Sequence, residues 1–321
     1  MLKKKFNSIV LIATLIFIIL ILGKKFEVIK ASFLEHKLEF LLIAFIYLAG
    51  RYLDGMKLHV LLRRHDVKIK RNECFGLSVM MAFYNLFLPN AGIVTNAVYL
   101  RSKYGFGYTK FLSTGLIRSV AAVFTCGLVG LAGSLVYMAE HGTPVLLVPV
   151  VIYVCAMAVS VAVFFVPIPG FLNRYGVFTR ISEAIKDIKS VKVDRRLIYS
   201  LAAIQMGINL AFILRYYVVF TALSYEVSFL NVAAIIPITE LSNMVNLIPS
   251  NMGIRETVVS VSSLLIGFSV AEGFMVAAID RAVVVSTALV SGMFFFVRLR
   301  YSHNLFAEKE VVEVCAESED V

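Results

Sequence analysis

Residues 246–256 read NLIPSNMGIRE, and residues 85–92 read NLFLPNAG. Both stretches interrupt an apolar region with a proline followed by a glycine, since Pro249 follows Pro89 by 160 residues and Gly253 follows Gly92 by 161. Proline cannot continue a helix and glycine allows the backbone to turn tightly, so each stretch predicts a break between two short helices. The similar spacing indicates that the two breaks are copies of one feature.

Arginine positions recur at nearly the same spacing as the breaks. An Arg-Tyr pair precedes the proline of each break, with Arg51 lying 38 residues before Pro89 and Arg215 lying 34 residues before Pro249. A lone arginine, Arg118 or Arg281, lies in the apolar segment that follows each break. The pattern predicts a duplicated unit, with repeat one at about 38–138 and repeat two at about 197–297. Many membrane transporters consist of two such repeats and bind their cargo where the repeats meet.

The composition is that of an integral membrane protein. Hydrophobic residues make up 60% of the chain and charged residues only 16%, with a mean hydropathy of +0.85. Soluble domains are roughly 45–50% apolar and about 25% charged. Every backbone polar group inside lipid must be satisfied within the protein, so only α-helices and closed β-barrels can cross a membrane. The apolar runs of this chain are long and lack the alternation of polar and apolar residues found in barrel strands, which favours helices. The longest hydrophilic stretch, 171–196, is too short for a soluble catalytic domain.

The apolar segments are unequal in length. They lie near 6–23, 38–56, 74–88, 91–100, 111–138, 143–168, 197–224, 228–248, 254–271 and 273–297. Those at 74–88 and 91–100 are short against the roughly 20 residues that a spanning helix needs, so they predict a re-entrant hairpin. The break after 228–248 predicts a second hairpin with 254–271. The sequence therefore predicts an all-α integral membrane protein with about six crossing helices and two re-entrant helical hairpins.

The distribution of basic residues predicts the orientation. Connections 57–73 and 170–196 are strongly basic, whereas 139–142 and 225–228 carry Glu140 and Glu226 without Lys or Arg. The positive-inside rule then places both termini in the cytoplasm and makes the hairpins enter from opposite sides, as an inverted repeat. Four lysines in 24–37 oppose this orientation. We predict one transmembrane domain over 1–306 and an acidic cytoplasmic tail over 307–321.

Charge and cysteine usage exclude several other classes. The net charge of +10 arises from basic connections rather than from one basic face, so no nucleic-acid partner is predicted. The four cysteines are too far apart in the chain to suggest a disulfide or a metal site. No Walker motif and no catalytic motif of the common hydrolase or phosphotransfer classes is visible in the sequence. We therefore predict no enzyme activity, no metal and no cofactor.

The repeated breaks predict a binding site for an anionic cargo. Two hairpin tips that enter from opposite sides meet near the bilayer midplane, where half-helix N-termini attract anions. Arginines inside membrane segments are costly unless they are paired or hydrated, and a guanidinium suits phosphate. We predict that Arg51, Arg118, Arg215 and Arg281 contact the cargo. Structural pairing is the open alternative, with Arg281 facing its neighbour Asp280 or Glu256.

The second break carries charges that the first one lacks, Arg255 and Glu256. Both are predicted to bind cargo, although a glutamate in a first turn also stabilises a helix without any ligand. Glu240 is a further candidate that could instead be a packing partner or a proton site. The predicted polar contacts are Asn85, Asn90, Asn246 and Asn251, and the predicted hinges are Pro89, Gly92, Pro249 and Gly253.

These motifs resemble those of the lysylphosphatidylglycerol synthase transmembrane family. The Pro-x-x-x-Gly-Ile-Arg-Glu stretch from Pro249, the turn at 267–269 and the helix bearing Arg281 are similar to its C-terminal signature. Arg51 and the stretch 85–92 are similar to its N-terminal signature. The chain departs from the usual family pattern at Ser250-Asn251, where two glycines are common.

The resemblance implies lipid translocation without catalytic chemistry. In two-domain members the transmembrane part flips an aminoacylated lipid, while other members stand beside or are fused to glycosyltransferases. We therefore expect a flippase-like translocase of the bacterial or archaeal cytoplasmic membrane, for a phospholipid or a polyprenyl-phosphate-linked headgroup. The alternative is a non-transporting membrane subunit that anchors or assists a glycosyltransferase or lipid-modifying enzyme of envelope biosynthesis. Whether the chain forms a homo-oligomer stays open.

Overall fold

The computed structural model describes residues 36–142, 144–165, 195–243 and 251–302, which are helical and contain no β-strand. Nine α-helices follow one another in these ranges, with short 3-10 turns at Pro144–Leu146 and Leu264–Ile266. They are α1 (Lys37–Arg64), α2 (Arg71–Phe87), α3 (Ala91–Tyr104), α4 (Tyr108–His141), α5 (Leu147–Phe165), α6 (Arg195–Ala222), α7 (Phe229–Asn243), α8 (Ile254–Ser263) and α9 (Val270–Ser302). The predicted all-α class is confirmed.

Four helices in the described part of the chain are long and apolar enough to cross a membrane. They are Tyr108–His141, Pro144–Ala162, Arg196–Ala222 and Val270–Arg298, and they coincide with four of the predicted crossing segments. Helix α1 covers the predicted segment 38–56, whereas the segment at 6–23 lies outside the described residues. The protein is a multi-pass membrane protein, and the total of six crossing helices stays a prediction.

Helices α2 and α3 form an antiparallel hairpin at the first break. The Gly92 N–H donates to Asn85 Oδ1 at 2.8 Å, and Asn96 Nδ2 donates to the carbonyl of Leu77 at 3.2 Å. Further from the tip, the Tyr99 hydroxyl donates to Glu73 at 2.6 Å. The later a residue lies in α3, the earlier its partner lies in α2, so the two helices run side by side in opposite directions.

Gly92 allows the closest approach within this hairpin. A Cβ atom built there would lie 2.2 Å from the carbonyl oxygen of Met81 and 2.6 Å from its Cα. Backbone atoms of a packed helix cannot move aside as a flexible side chain can. Gly92 is therefore explained by helix packing, in addition to its predicted role as a hinge.

We expect Gly92→Ala to lower the Tm of the detergent-solubilised protein. The added methyl group forces α2 and α3 apart, and overpacking of this kind costs about 1–3 kcal/mol. Gly115→Ala in α4 is the matched control, because no atom lies within 4 Å of the added Cβ and alanine favours a helix. Thermal unfolding followed by size-exclusion chromatography measures both variants. An unchanged Tm in Gly92→Ala would contradict the packing role.

The second break joins α7 to α8 through 244–250, which lie outside the described residues together with the predicted site residue Asn246 and the predicted hinge Pro249. On the far side of this segment, Gly253 has φ +84°, a conformation that glycine adopts without strain. Asn251 also has a positive φ, of 51°, and its Nδ2 donates to the carbonyl of Ser242 at 3.3 Å. This bond ties the start of α8 to the end of α7.

The order of elements repeats along the chain. A long helix, a hairpin of two shorter helices and another long helix appear first as α1 to α4 and again as α6 to α9. The two halves pack on each other through α1 against α6 and α2 against α9, and α4 packs against α7. The duplication and the inverted relation of the halves both stay predictions.

Apolar side chains occupy both the interior and the outer surface. The main buried cluster combines residues of α1, α4 and α6 to α9, including Phe220, Ile235 and Val276. At the surface, large apolar side chains such as Leu38 at 79% and Val290 at 74% are exposed. Exposed apolar area on this scale indicates contact with lipid in a membrane protein.

Candidate functional site: a polar cavity between the two halves

A polar cavity of about 300 Å³ lies between the two halves. Six helices contribute to its wall, and seven of the predicted site residues line it: Arg51, Asn85, Arg215, Glu240, Asn251, Arg255 and Arg281. Tyr47 and Asn243 add further polar groups, and the remaining lining is small or apolar, including Ala82, Ala211 and Phe212. Residues that are far apart in the sequence therefore meet in one cavity.

Asp280 holds two of the cavity arginines in place. Its carboxylate is fully buried and lies 2.6 Å from Arg215 Nε, while its other oxygen accepts a hydrogen bond from Arg255. The Nε of Arg255 donates to the hydroxyl of Tyr216 at 3.0 Å. One carboxylate thus serves two guanidinium groups, which leaves this buried group of three with a net positive charge.

Aromatic rings complete the surroundings of these arginines. The Arg215 guanidinium lies 4.9 Å from the ring centre of Phe212, and that of Arg255 lies 5.5 Å from the same ring. Such contacts favour a cation over an aromatic face and restrict how it turns. Phe212 therefore fixes both guanidinium groups beside the cavity.

Arg281 lies beside Glu256 rather than beside its sequence neighbour. The Nε of Arg281 is 3.7 Å from Glu256 Oε1, whereas the Asp280 carboxylate binds Arg215 and Arg255. Consecutive residues of a helix point about 100° apart, since a turn takes 3.6 residues. Of the two alternative partners that the sequence left open, the structure selects Glu256.

Glu256 also caps α8 and is not among the residues that line the cavity. Its Oε2 accepts a hydrogen bond from the Gly253 N–H at 2.7 Å. The glutamate therefore stabilises the helix N-terminus and orients Arg281 at the same time. Direct contact between Glu256 and a cargo stays a prediction.

Arg51 differs from the other cavity arginines in its contacts. Within the described ranges it takes part in no ion pair of 4 Å or less, and its buried Nε has no hydrogen-bond partner. Its guanidinium lies 5.6 Å from the ring centre of Tyr47, one helical turn earlier in α1. A buried donor without a partner is costly, so Arg51 is well suited to bind an anion in the cavity.

The two asparagines of the first break have different positions. Asn85 lines the cavity while its Oδ1 accepts the Gly92 N–H, so it connects the hairpin turn with the cavity wall. Asn90 is exposed in the turn, with φ 60°, and does not line the cavity. Asn251, from the second break, also lines the cavity, and its buried Oδ1 has no hydrogen-bond partner among the described residues.

Arg118 belongs to a separate buried cluster and does not line the cavity. Its guanidinium donates to Asp54 Oδ1 at 2.7 Å, and the Ser78 hydroxyl donates to the other oxygen at 2.9 Å. Lys57 lies 3.5 Å from the same carboxylate and donates to Gln205. This cluster connects α1, α2, α4 and α6. A role of Arg118 in cargo binding stays a prediction.

Two carboxylates outside the predicted set of cargo-binding residues prove central to the arginine positions. Asp54 and Asp280 are both buried, and each binds a predicted cargo arginine. The signal was present in the sequence, since Asp54 follows Arg51 by three residues and Asp280 precedes Arg281 directly. Both aspartates lie inside apolar segments, where a charge is costly. The reasoning that identified the arginines therefore identifies these two acidic residues as well.

The described residues contain no group of three potential metal ligands among His, Cys, Asp and Glu. Four arginines line the central cavity together with the carboxylate of Glu240, and this excess of cationic donor groups suits an oxyanion. A family model described as "Lysylphosphatidylglycerol synthase TM region" matches residues 7–292 of the chain. No curated protein and no solved structure is significantly similar to it.

Proposed function

Because the chain belongs to the lysylphosphatidylglycerol synthase transmembrane family, we propose that it is a lipid translocase whose central cavity binds an anionic headgroup. The headgroup is of the phospholipid or polyprenyl-phosphate-linked type. The observation that supports the proposal is the convergence of four arginines on one cavity between apolar helices. Positive charge inside a membrane protein is rare and generally marks a path for substrate or ions.

The charge balance of the cavity favours a singly charged anion. Four arginines line it, Arg51, Arg215, Arg255 and Arg281. The carboxylates counted with them are Asp280 and Glu256, which form their ion pairs, and Glu240, which lines the cavity. Asp54 also acts on Arg51 but is paired with Arg118 and Lys57 in the neighbouring cluster. Four cations against three anions leave one positive charge. A phosphodiester carries one negative charge and would neutralise it, whereas an unoccupied cavity keeps the excess charge in a medium of low dielectric constant.

The cavity size favours the headgroup alone over the whole lipid. A volume of about 300 Å³ is at the lower end of the range for small-ligand sites. The phosphate and its polar substituent would occupy the cavity while the acyl or prenyl chains stay in the surrounding lipid. The glycine at each break, Gly92 and Gly253, would allow the short helices to reorient and expose the cavity to either side.

Filling the cavity is expected to stop translocation without removing a charge. Ala82 lines the cavity, so Ala82→Leu places a larger side chain where the headgroup would bind. We expect at least a tenfold slower loss of a fluorescent phosphatidylglycerol from the outer leaflet of proteoliposomes. Ser286→Leu introduces the same side chain at an exposed position of α9 and should leave the rate unchanged. Equal rates in both variants would contradict the cavity as the route.

Absence of transport in the wild-type chain would contradict the proposal as a whole. If the chain then co-purified with a glycosyltransferase or lipid-modifying enzyme, it would be the non-transporting membrane subunit that the sequence left as the alternative. The cavity would then hold a lipid headgroup in place for the partner enzyme.

A further inference from the structure

A second cationic region lies at the end of α1, away from the central cavity. Two adjoining clefts of about 590 and 440 Å³ share His59, Arg63 and Arg71 in their walls. Six cations line them, namely Arg63, Arg64, Lys68, Lys70, Arg71 and Arg196, and no carboxylate of the described residues does. We refer to the two clefts together as the basic cleft.

Helix α2 begins at the basic cleft, and α6 contributes residues from its first described turns. Lys70, Arg71 and Asn72, at the start of α2, line one side, while Arg196, Leu197 and Ser200, in the first turns of α6, line another. The N-terminus of a helix carries a partial positive charge and free backbone donors, and it commonly binds phosphate. The backbone thus adds to the attraction that the six side chains exert on an anion.

A buried histidine lies where the two clefts adjoin. His59 is only 7% exposed, and its Nδ1 has no hydrogen-bond partner within the described part of the chain. A buried polar atom without a partner is unfavourable, and a phosphate oxygen would accept a hydrogen bond from Nδ1 when that nitrogen carries a hydrogen. This feature distinguishes the basic cleft from a surface that is merely rich in lysine and arginine.

The position of the cleft relative to the membrane indicates what reaches it. Arg196 is the first residue of the membrane span Arg196–Ala222, so the cleft lies at the boundary of the apolar region. Along α1, Arg63 follows the cavity residue Arg51 by twelve residues, or about 18 Å at 1.5 Å per residue. The cleft is therefore separate from the cavity and lies beside the first residue of a membrane span.

We propose that the basic cleft is a phosphate-binding site, in which the cationic side chains and the start of α2 bind the phosphate oxygens and His59 forms one side of the site. An anionic lipid of the adjacent leaflet and a soluble phosphate compound share this chemistry. The proposal does not depend on translocation through the cavity.

A fluorescent label inside the cleft separates binding there from binding in the cavity. Asn72 is exposed and lines the cleft, so Asn72→Cys accepts an environment-sensitive dye once Cys155 and Cys315 have been replaced by alanine. Short-chain phosphatidylglycerol and inorganic pyrophosphate are titrated separately into the labelled full-length chain. Arg63→Ala/Arg71→Ala is the cleft variant. Arg101→Ala/Lys110→Ala is the control, since both residues are exposed and neither lines the cleft.

We expect the cleft variant to weaken binding at least tenfold and the control pair to change it less than twofold. His59→Phe leaves the six cations in place and is expected to weaken binding several-fold, which diffuse attraction by surface charge would not produce. Binding of phosphatidylglycerol identifies a lipid headgroup as the source, and binding of pyrophosphate alone identifies a soluble compound. Equal affinity in the cleft variant and the wild type, or an equal loss in the control pair, would overturn the proposal.

Discussion

Asp280→Asn is expected to leave little folded protein. The carboxylate is fully buried and compensates both Arg215 and Arg255. Removing one member of a buried ion pair costs about 3–5 kcal/mol, because the partner charge remains without compensation. Here two guanidinium groups lose their shared counter-ion. We expect a large fall in the amount of monodisperse protein after detergent extraction and a clearly lower Tm in the protein that remains.

Two further variants test whether the loss of stability in Asp280→Asn comes from this buried carboxylate or follows the loss of any acidic residue. Asp66→Asn removes a carboxylate at an exposed position and should change stability by no more than about 0.5 kcal/mol. Asp280→Asn combined with Arg215→Met restores the net charge of the buried group of three and should recover part of the lost Tm. Wild-type stability in Asp280→Asn would show that Arg215 and Arg255 do not depend on this carboxylate.

Arg51→Gln is expected to slow translocation by roughly tenfold or more while the protein stays folded. Arg51 lines the cavity but takes part in no ion pair within the described ranges, so its replacement breaks no direct contact with a buried carboxylate. The headgroup, in contrast, loses a guanidinium whose Nε lacks another partner. A hydrogen bond to a charged group contributes about 1.5–3 kcal/mol, which corresponds to a loss of roughly tenfold or more in rate.

Headgroup translocation in proteoliposomes and Tm in detergent are measured together for this variant. Arg101→Gln is the matched control, because Arg101 is exposed and lies outside the cavity. Arg51→Lys keeps the charge but not the planar fork of donors, so an intermediate rate would indicate that the guanidinium geometry contributes. If Arg51→Gln transports the headgroup at the wild-type rate, Arg51 does not hold the cargo.

Much of the fold could be predicted from local features of the chain. Apolar segment lengths located four helices that are long enough to cross a membrane, and the break at Pro89 and Gly92 located the turn between α2 and α3. These features are local, because hydropathy, proline and glycine act on the backbone within a few residues. The charge bias also predicted an orientation of the chain, which stays a prediction.

The candidate site was predictable as a set of residues and not as a set of contacts. The cost of a charge inside an apolar segment identified Arg51, Arg215 and Arg281 before any geometry was known. Their partners were not apparent, because Asp280 is adjacent to Arg281 in the sequence and yet binds Arg215, which is 65 residues away. The same local criterion selected Arg118 as an equal member of the set, although it lies with Asp54 in a different cluster.

The sequence by itself determined the helical class, the membrane location and the buried arginines, because each follows from the cost of placing a polar group or a charge in lipid. Only the tertiary structure decided which arginines line one cavity and which carboxylates pair with Arg215, Arg255 and Arg281. It also decided that Arg51 has no ion-pair partner in the described part of the chain. The physical reason is that contacts between helices depend on which faces pack together. That packing is the combined result of many weak contacts along each helix, and no single position in the sequence specifies it.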